Sequence, residues 1–255
     1  MAEHSTEQKI ALITGANKGI GYAAAHRLAS MGMSVLIGAR DAARGTEAAD
    51  ALRTKGYEAE AVVLDVTDAV TVKSAAKRIE QRFGRLDVLI NNAGISGSGP
   101  ISPADAHDQT PSRVDLDMVR AVFETNVFGV ITVTNAMLPL LRRSLSPRIV
   151  NVSTAAASLT LTSTPNGPFA GLPPSAAYSP SKSALNALTV QYAMELRKDG
   201  ILVNAADPGY VDTDINNHQG NLTAAQGAAV LVQLATLDDA GQTAGFFSEH
   251  GAMPW

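Results

Sequence analysis

Cysteine is absent from the 255 residues. That excludes disulfides and thiolate metal sites and allows a reducing compartment, so the expected location is cytoplasmic. Aromatic residues are scarce, at 5%, with a single tryptophan. No uninterrupted apolar run reaches the roughly 18 residues of a membrane span. The opening "MAEHSTEQK" lacks the apolar core of a secretory leader, and residues 1–8 read as a flexible tail. Neither sign of charge dominates: 20 basic residues face 24 acidic ones, for a net charge of −4. A broad attraction to nucleic acid or acidic membranes is therefore not expected. The five histidines are scattered, with no pair at the short helical spacing of a zinc site, so no metal is expected.

What is present is a rhythm. "KIALIT", "SVLIG", "EAVVLD", "LDVLIN", "RIVNVS" and "ILVNA" are short, β-branched and almost continuously apolar, the pattern of strands buried on both faces. Segments of helical period lie between them, at about 19–31, 41–55, 68–82, 115–144, 179–199 and 223–237. Alternation of this kind predicts an α/β fold, a Rossmann-like doubly wound sheet of about seven mostly parallel strands with helices on both faces. No linker interrupts it, so residues 1–255 read as one domain. Two stretches rich in Gly, Pro and Ser, 95–112 and 158–175, read as long loops over a binding site. The closing "FFSEHGAMPW" reads as a last strand and a packed tail.

The first strand runs into "TGANKGIGYAAAHRLA", with Gly15, Gly19 and Gly21 spaced Gly-x3-Gly-x-Gly. Glycines there allow a tight turn and close approach of backbone to a pyrophosphate, which the N–H groups of the following helix can bind. Asn17, Lys18 and Ile20 complete that loop. A cofactor with a free ribose 2′-hydroxyl expects an acid at the end of strand two, roughly 20 residues past the glycines. Gly38 and Ala39 stand there instead, followed by Arg40 and Arg44. Cations without an acid suit a 2′-phosphate, hence NADP(H). Asp41 comes one residue late and reads as a helix cap.

"YSPSK" opens a helix with Tyr178 and Lys182 four apart, on one face. Such a pair alone is an ordinary surface feature. After a nucleotide loop it suits carbonyl chemistry, because a neighbouring ammonium favours phenolate and lowers the tyrosine pKa toward the working range.

In order along the chain stand "TGANKGIG", "LDV" (64–66), "NNAG" (91–94), Asn126, "NVST", "YSPSK" and "PGYVDT" (208–213). Together they resemble the short-chain dehydrogenases/reductases over about residues 8 to 250, and "NKGIG" with "ARDAARG" is most similar to the NADPH-dependent carbonyl reductases. The resemblance implies Asn126, Thr154, Tyr178 and Lys182 as the catalytic group, with Asn126 holding a water beside Lys182. It implies Asp65 and Val66 at the adenine, Asn92, Ala93 and Gly94 at the adenosine ribose, and Ser153, Pro208, Gly209, Val211 and Thr213 along the rest of the cofactor. Lys182 would bind the nicotinamide ribose. Ile95, Ser96, Thr154, Ala155, Tyr178 and Tyr210 would face a small-molecule carbonyl or alcohol substrate. The family's usual strand ending is two serines, of which the second acts; here that position is Thr154. Twenty-three residues separate Thr154 from Tyr178, more than the family commonly has, which favours a monomer over a dimer. The implied activity is reduction of a ketone or aldehyde. Alternatives are an NADP-dependent secondary-alcohol or sterol dehydrogenase, or a non-catalytic NADP(H)-binding sensor.

Overall fold

A computed structural model describes residues 8–97 and 109–255. The expected tail of residues 1–8, except Gln8, and most of the 95–112 loop lie outside them. The strands are β1 (Ile10–Thr14), β2 (Ser34–Ala39), β3 (Ala59–Val63), β4 (Val88–Asn91), β5 (Arg148–Val152), β6 (Leu202–Ala206), β7 (Phe246–Ser248) and β8 (Gly251–Ala252). They form one sheet in the order β3-β2-β1-β4-β5-β6-β7-β8, parallel except for β8. The sheet thus has eight strands where the sequence pattern predicts about seven. The closing segment turns back at Glu249–His250 and adds a two-residue strand too short to carry a pattern. Trp255 stacks on Phe246 with ring centroids 5.5 Å apart.

The helices are α1 (Gly19–Ser30), α2 (Ala42–Arg53), α3 (Ala69–Phe83), α4 (Leu116–Phe123), α5 (Gly129–Leu141), α6 (Leu159–Ser163), α7 (Tyr178–Leu196) and α8 (Ala224–Ala235). Strand residues alternate between two cores. Ala11, Ile13, Val35 and Ile37 pack with α1, α2 and α8 on one face. Ile10, Leu12, Leu36 and Ile149 pack with α3, α5 and α7 on the other, as the two-residue side-chain period requires. Several helix starts follow their sequence signals. Asp41, Asp68 and Asp115 accept backbone N–H bonds at the starts of α2, α3 and α4, and Thr223 closes a capping box on α8.

Two features escape the periodicity. The helix expected at 115–144 spans Leu116–Leu141, with a π-turn at Glu124–Phe128 between α4 and α5. The most apolar 18-residue window of this 26-residue run has mean hydropathy 1.3, long and apolar enough to cross a membrane, although half of that window is buried. Its apolarity serves the core, since Val133, Met137 and Leu141 pack on the sheet. The 158–175 segment, read as loop, contains the short helix α6, whose first turn is capped by Ser158.

Strand order reverses between β1 and β4, the switch point at which doubly wound sheets bind ligands beyond their strand ends. A polar tie holds the neighbouring strands in register. Asn91 Nδ2 donates to Asn151 Oδ1 at 2.9 Å and to Thr134 Oγ1 at 3.1 Å, all three residues being buried. Asn91→Leu strands those acceptors and should cost about 2–3 kcal/mol, read as a lower urea midpoint with unchanged slope.

Candidate active site

The β1–α1 loop forms a cradle at the switch point. Gly15 has φ +64°, and a Cβ on Gly21 would lie 2.5 Å from Asn92 Nδ2 and 2.8 Å from Gly15 O. Left-handed backbone at the first position and backbone-to-backbone packing at the second both require glycine. Asn92 Nδ2 donates to Thr14 O and Gly15 O, so "NNAG" is tied to the loop. The α1 N-terminus has no side-chain cap and no acid in its first turn, which leaves its N–H groups for an anion. A dinucleotide pyrophosphate fits this arrangement. Gly15, Asn17, Gly19, Ile20 and Gly21 would hold it.

At the end of β2, Arg40 and Arg44 are exposed. Asp41 accepts from Arg44 N at 3.0 Å, and this bond, with the nearby arginine charges, holds its carboxyl below the usual range. It is the helix cap that its position suggests. Lys18 is not a free cation: its ammonium pairs with Asp214. His218 bridges Asp212 at 2.6 Å and Asp214 at 2.9 Å, so the pair joins the glycine loop to the segment after "PGYVDT". At the end of β3, Asp65 Oδ1 accepts from Thr67 N and Thr67 Oγ1. Val66 packs against Gly129, whose added Cβ would lie 2.8 Å from Val66 Cγ2.

Around the β4 and β5 ends the expected catalytic group assembles. Lys182 is buried, at 4% exposure, and donates to Val152 O at 2.7 Å. Its Nζ lies 6.0 Å from the Tyr178 ring centroid. A Cβ on Gly94 would lie 3.3 Å from that Nζ and 3.2 Å from Asn126 Oδ1. Asn126 sits in the π-turn and is fully buried. Its amide donates to Ile95 O and Ser181 Oγ and accepts from Ile95 N at 2.9 Å. Its side chain therefore clamps the β4 loop.

The two hydroxyls at the end of β5 separate. Ser153 is buried and donates to Asn186 Oδ1 at 2.6 Å. Asn186 Nδ2 has no partner among the described residues. Thr154 is half-buried; its Oγ1 accepts from Ala156 N, and its proton has no acceptor among the described residues. Ser96 Oγ donates to Ile215 O at 3.2 Å, and Tyr210 is exposed. Val211 is buried. The Thr213 methyl would lie 3.6 Å from a Cβ on Gly19, which sets the Pro208–Thr213 loop across from the glycine loop.

Burial shifts both titrating groups toward neutrality. The Tyr178 phenol is pushed up to about 12, by desolvation and then by the charge of Asp207. Desolvation pulls Lys182 down to about 8. This corrects the expectation that Lys182 lowers the tyrosine pKa. The ammonium spends its bond on the Val152 carbonyl, and lost hydration outweighs it at the phenol.

Sequence reasoning missed two residues. Gln109 is buried and links Ser96 O, at 2.7 Å, to the Ser175 hydroxyl that accepts from Tyr178 N. Asp207 lies just before "PGYVDT". An inward-facing polar residue beside a loop motif was its only signal.

Residues 9–223 match the short chain dehydrogenase family. The chain belongs to that family of oxidoreductases. It is 38% identical over 235 residues to a short-chain dehydrogenase of Penicillium roqueforti, covering 89% of this chain and 88% of that one. It is 34% identical to salutaridine reductase of Papaver bracteatum, covering 95% and 94%. The structure of NADPH-bound carbonyl reductase from chicken fatty liver superposes with a TM-score of 0.80 at 27% identity, covering 97% and 99%.

For this short-chain dehydrogenase, Lys182→Met tests the buried charge. A native pKa near 8 against 10.5 unfolded means the unfolded chain binds more protons between those values. The wild type should therefore gain about 3 kcal/mol relative to the variant as pH rises through that window, read by urea unfolding at each pH.

Proposed function

We propose that this chain is an NADPH-dependent carbonyl reductase acting on a ketone or aldehyde, with Tyr178 as proton donor. The observation that carries the reading is a phenol kept protonated beside a buried lysine on the first turns of α7. Arg40 and Arg44, with Asp41 spent on capping α2, support a 2′-phosphate. The NADPH held by the chicken carbonyl reductase and the name of salutaridine reductase support the cofactor and the direction.

When bound, the nicotinamide supplies a hydride to the carbonyl carbon. The residues of this chain do the rest. The free Thr154 proton is donated to the carbonyl oxygen and holds it beside Tyr178. Tyr178 gives its proton to that oxygen as negative charge develops. Lys182 binds the ribose hydroxyls and offers positive charge beside the phenol. Asn126 fixes Ile95 at the wall of the site. Secondary-alcohol oxidation uses the same groups in reverse.

The deciding experiment is an NADPH-oxidation screen over a carbonyl panel, with NADH as control. Turnover with NADPH on at least one carbonyl supports the reading; equal use of NADH removes the 2′-phosphate assignment. Tyr178→Phe should lower kcat by about 10²–10⁴ while NADPH still binds in a fluorescence titration, and retained turnover would sink the proton-donor role. Thr154→Ala should lower kcat strongly and Ser153→Ala should mainly lower stability. The reverse pattern would move the donor to Ser153.

A further inference from the structure

A displacement of about 1 Å at a reacting group can cost about a hundredfold in rate, so what anchors the backbone of Tyr178 matters to its chemistry. Tyr178 opens α7, and Ala177 before it has no side-chain oxygen to cap the helix. The first N–H groups of a helix find no partner within it. Ser175 supplies one from two residues further back. Its Oγ accepts from Ala177 N and from Tyr178 N, each at 3.2 Å. It donates its one proton to Gln109 Oε1 at 2.7 Å. The hydroxyl thereby uses its single donor and both acceptor positions. Gln109 is 3% exposed, and its Nε2 donates to Ser96 O at 2.7 Å. Its main-chain carbonyl accepts from Ala176 N at 2.9 Å, which zips it to the approach to α7. Gly97 leaves room for the bridge: a Cβ there would lie 3.0 Å from Gln109 Nε2.

A second route ties the carbonyl end of Tyr178 to the same place. Tyr178 O accepts from Ser181 Oγ at 2.6 Å, and Ser181 Oγ accepts from Asn126 Nδ2 at 3.0 Å. The Asn126 amide bonds both the N–H and the C=O of Ile95. Two chains of hydrogen bonds thus run from the adjacent residues Ile95 and Ser96 to the two ends of Tyr178. We propose that Gln109 is a positioning residue for the proton donor: through Ser175 it fixes the first turn of α7 to the β4 loop and so sets where the Tyr178 phenol stands. The inference rests on the reading of Tyr178 as proton donor. Without Gln109 the Ser175 proton loses its acceptor, and the hydroxyl is free to turn away from the two N–H groups. The Asn126 route alone then holds the carbonyl end and leaves the N–H end to fray.

Gln109→Met keeps the approximate length and removes both side-chain bonds. Ser175→Ala removes the hydroxyl, and Ser175→Thr keeps it. In carbonyl reduction, kcat should fall about tenfold in Gln109→Met and in Ser175→Ala. NADPH affinity should stay within about twofold of wild type, and Ser175→Thr should keep kcat within about threefold. Because both residues act in one chain, the double variant should lose no more than the worse single one. In the cofactor-free protein, hydrogen exchange at the Ala177 and Tyr178 amides should rise about tenfold in both single variants, while β1 and β5 keep their protection. Wild-type kcat in either single variant, or losses that multiply in the double variant, overturn the positioning role. Unchanged exchange at 177–178 overturns the brace. If Gln109→Met does not fold, Gln109→Asn takes its place, since it keeps a polar amide and shortens its reach. Exchange does not depend on turnover, so its failure is distinct from a Tyr178→Phe protein that stays active, which removes the donor reading itself.

Discussion

An ammonium group under the end of β5 governs the rest of the site. Lys182 is almost fully buried and spends a hydrogen bond on Val152 O. A buried charge costs several kcal/mol unless its surroundings answer it, and they answer by immobilising α7 against β5. Asn151 donates to Thr189, Ser153 donates to Asn186, and Ser183 donates to Ala157 O. These bonds engage successive turns of one helix face, so α7 cannot slide or roll without stranding several partners at once. Tyr178, one turn before Lys182 and braced by Ser175, inherits that rigidity. The energy comes from the two apolar cores. The polar ties convert it into position.

The opposite wall is built from small residues and broken regularity. Gly94 leaves only 3.2–3.3 Å between an added Cβ and Asn126 or Lys182, so any side chain there would displace the pair. The π-turn presents Asn126 inward at the price of a regular ladder, an irregularity that recurs at functional sites. Its amide then pins Ile95 from both backbone directions. Helix regularity is given up where the β4 loop has to be held.

Much of this was readable because it follows from local chemistry. β1, the glycine loop and α1 lie contiguously, and the strands buried on both faces are short apolar runs that alternate between the two cores. The Tyr178–Lys182 spacing needs only helical period, and Asp41 and Asp68 cap as their positions suggest. The unreadable parts depend on partners distant in sequence. The π-turn needs Ser181 and Ile95 to reward it. Gln109 bridges loops 60 or more residues apart in one direction and 13 in the other. The engagement of Lys18 by Asp214 spans 196 residues. The sign of the Tyr178 shift failed for the same reason: spacing shows the neighbouring ammonium, whereas burial and Asp207 are set by the fold.

Strand parity decides between the hydroxyls of Ser153 and Thr154. Val150 and Val152 face the α1–α8 core. Asn151 and Ser153 share the other face and bond to α7. Ser153 thus continues a structural row, and its proton is committed to Asn186. Thr154 falls one step later, where β5 has ended and its Oγ1 accepts the N–H of Ala156, the second residue of a 3₁₀ turn. That acceptance holds the oxygen in place and leaves the proton to donate. The threonine methyl restricts χ1 further, so the hydroxyl is oriented from two sides. A serine at 154 would keep the hydrogen bond and lose the steric restriction. Under the proposed reaction, the threonine would trade space in the pocket for a donor already aimed.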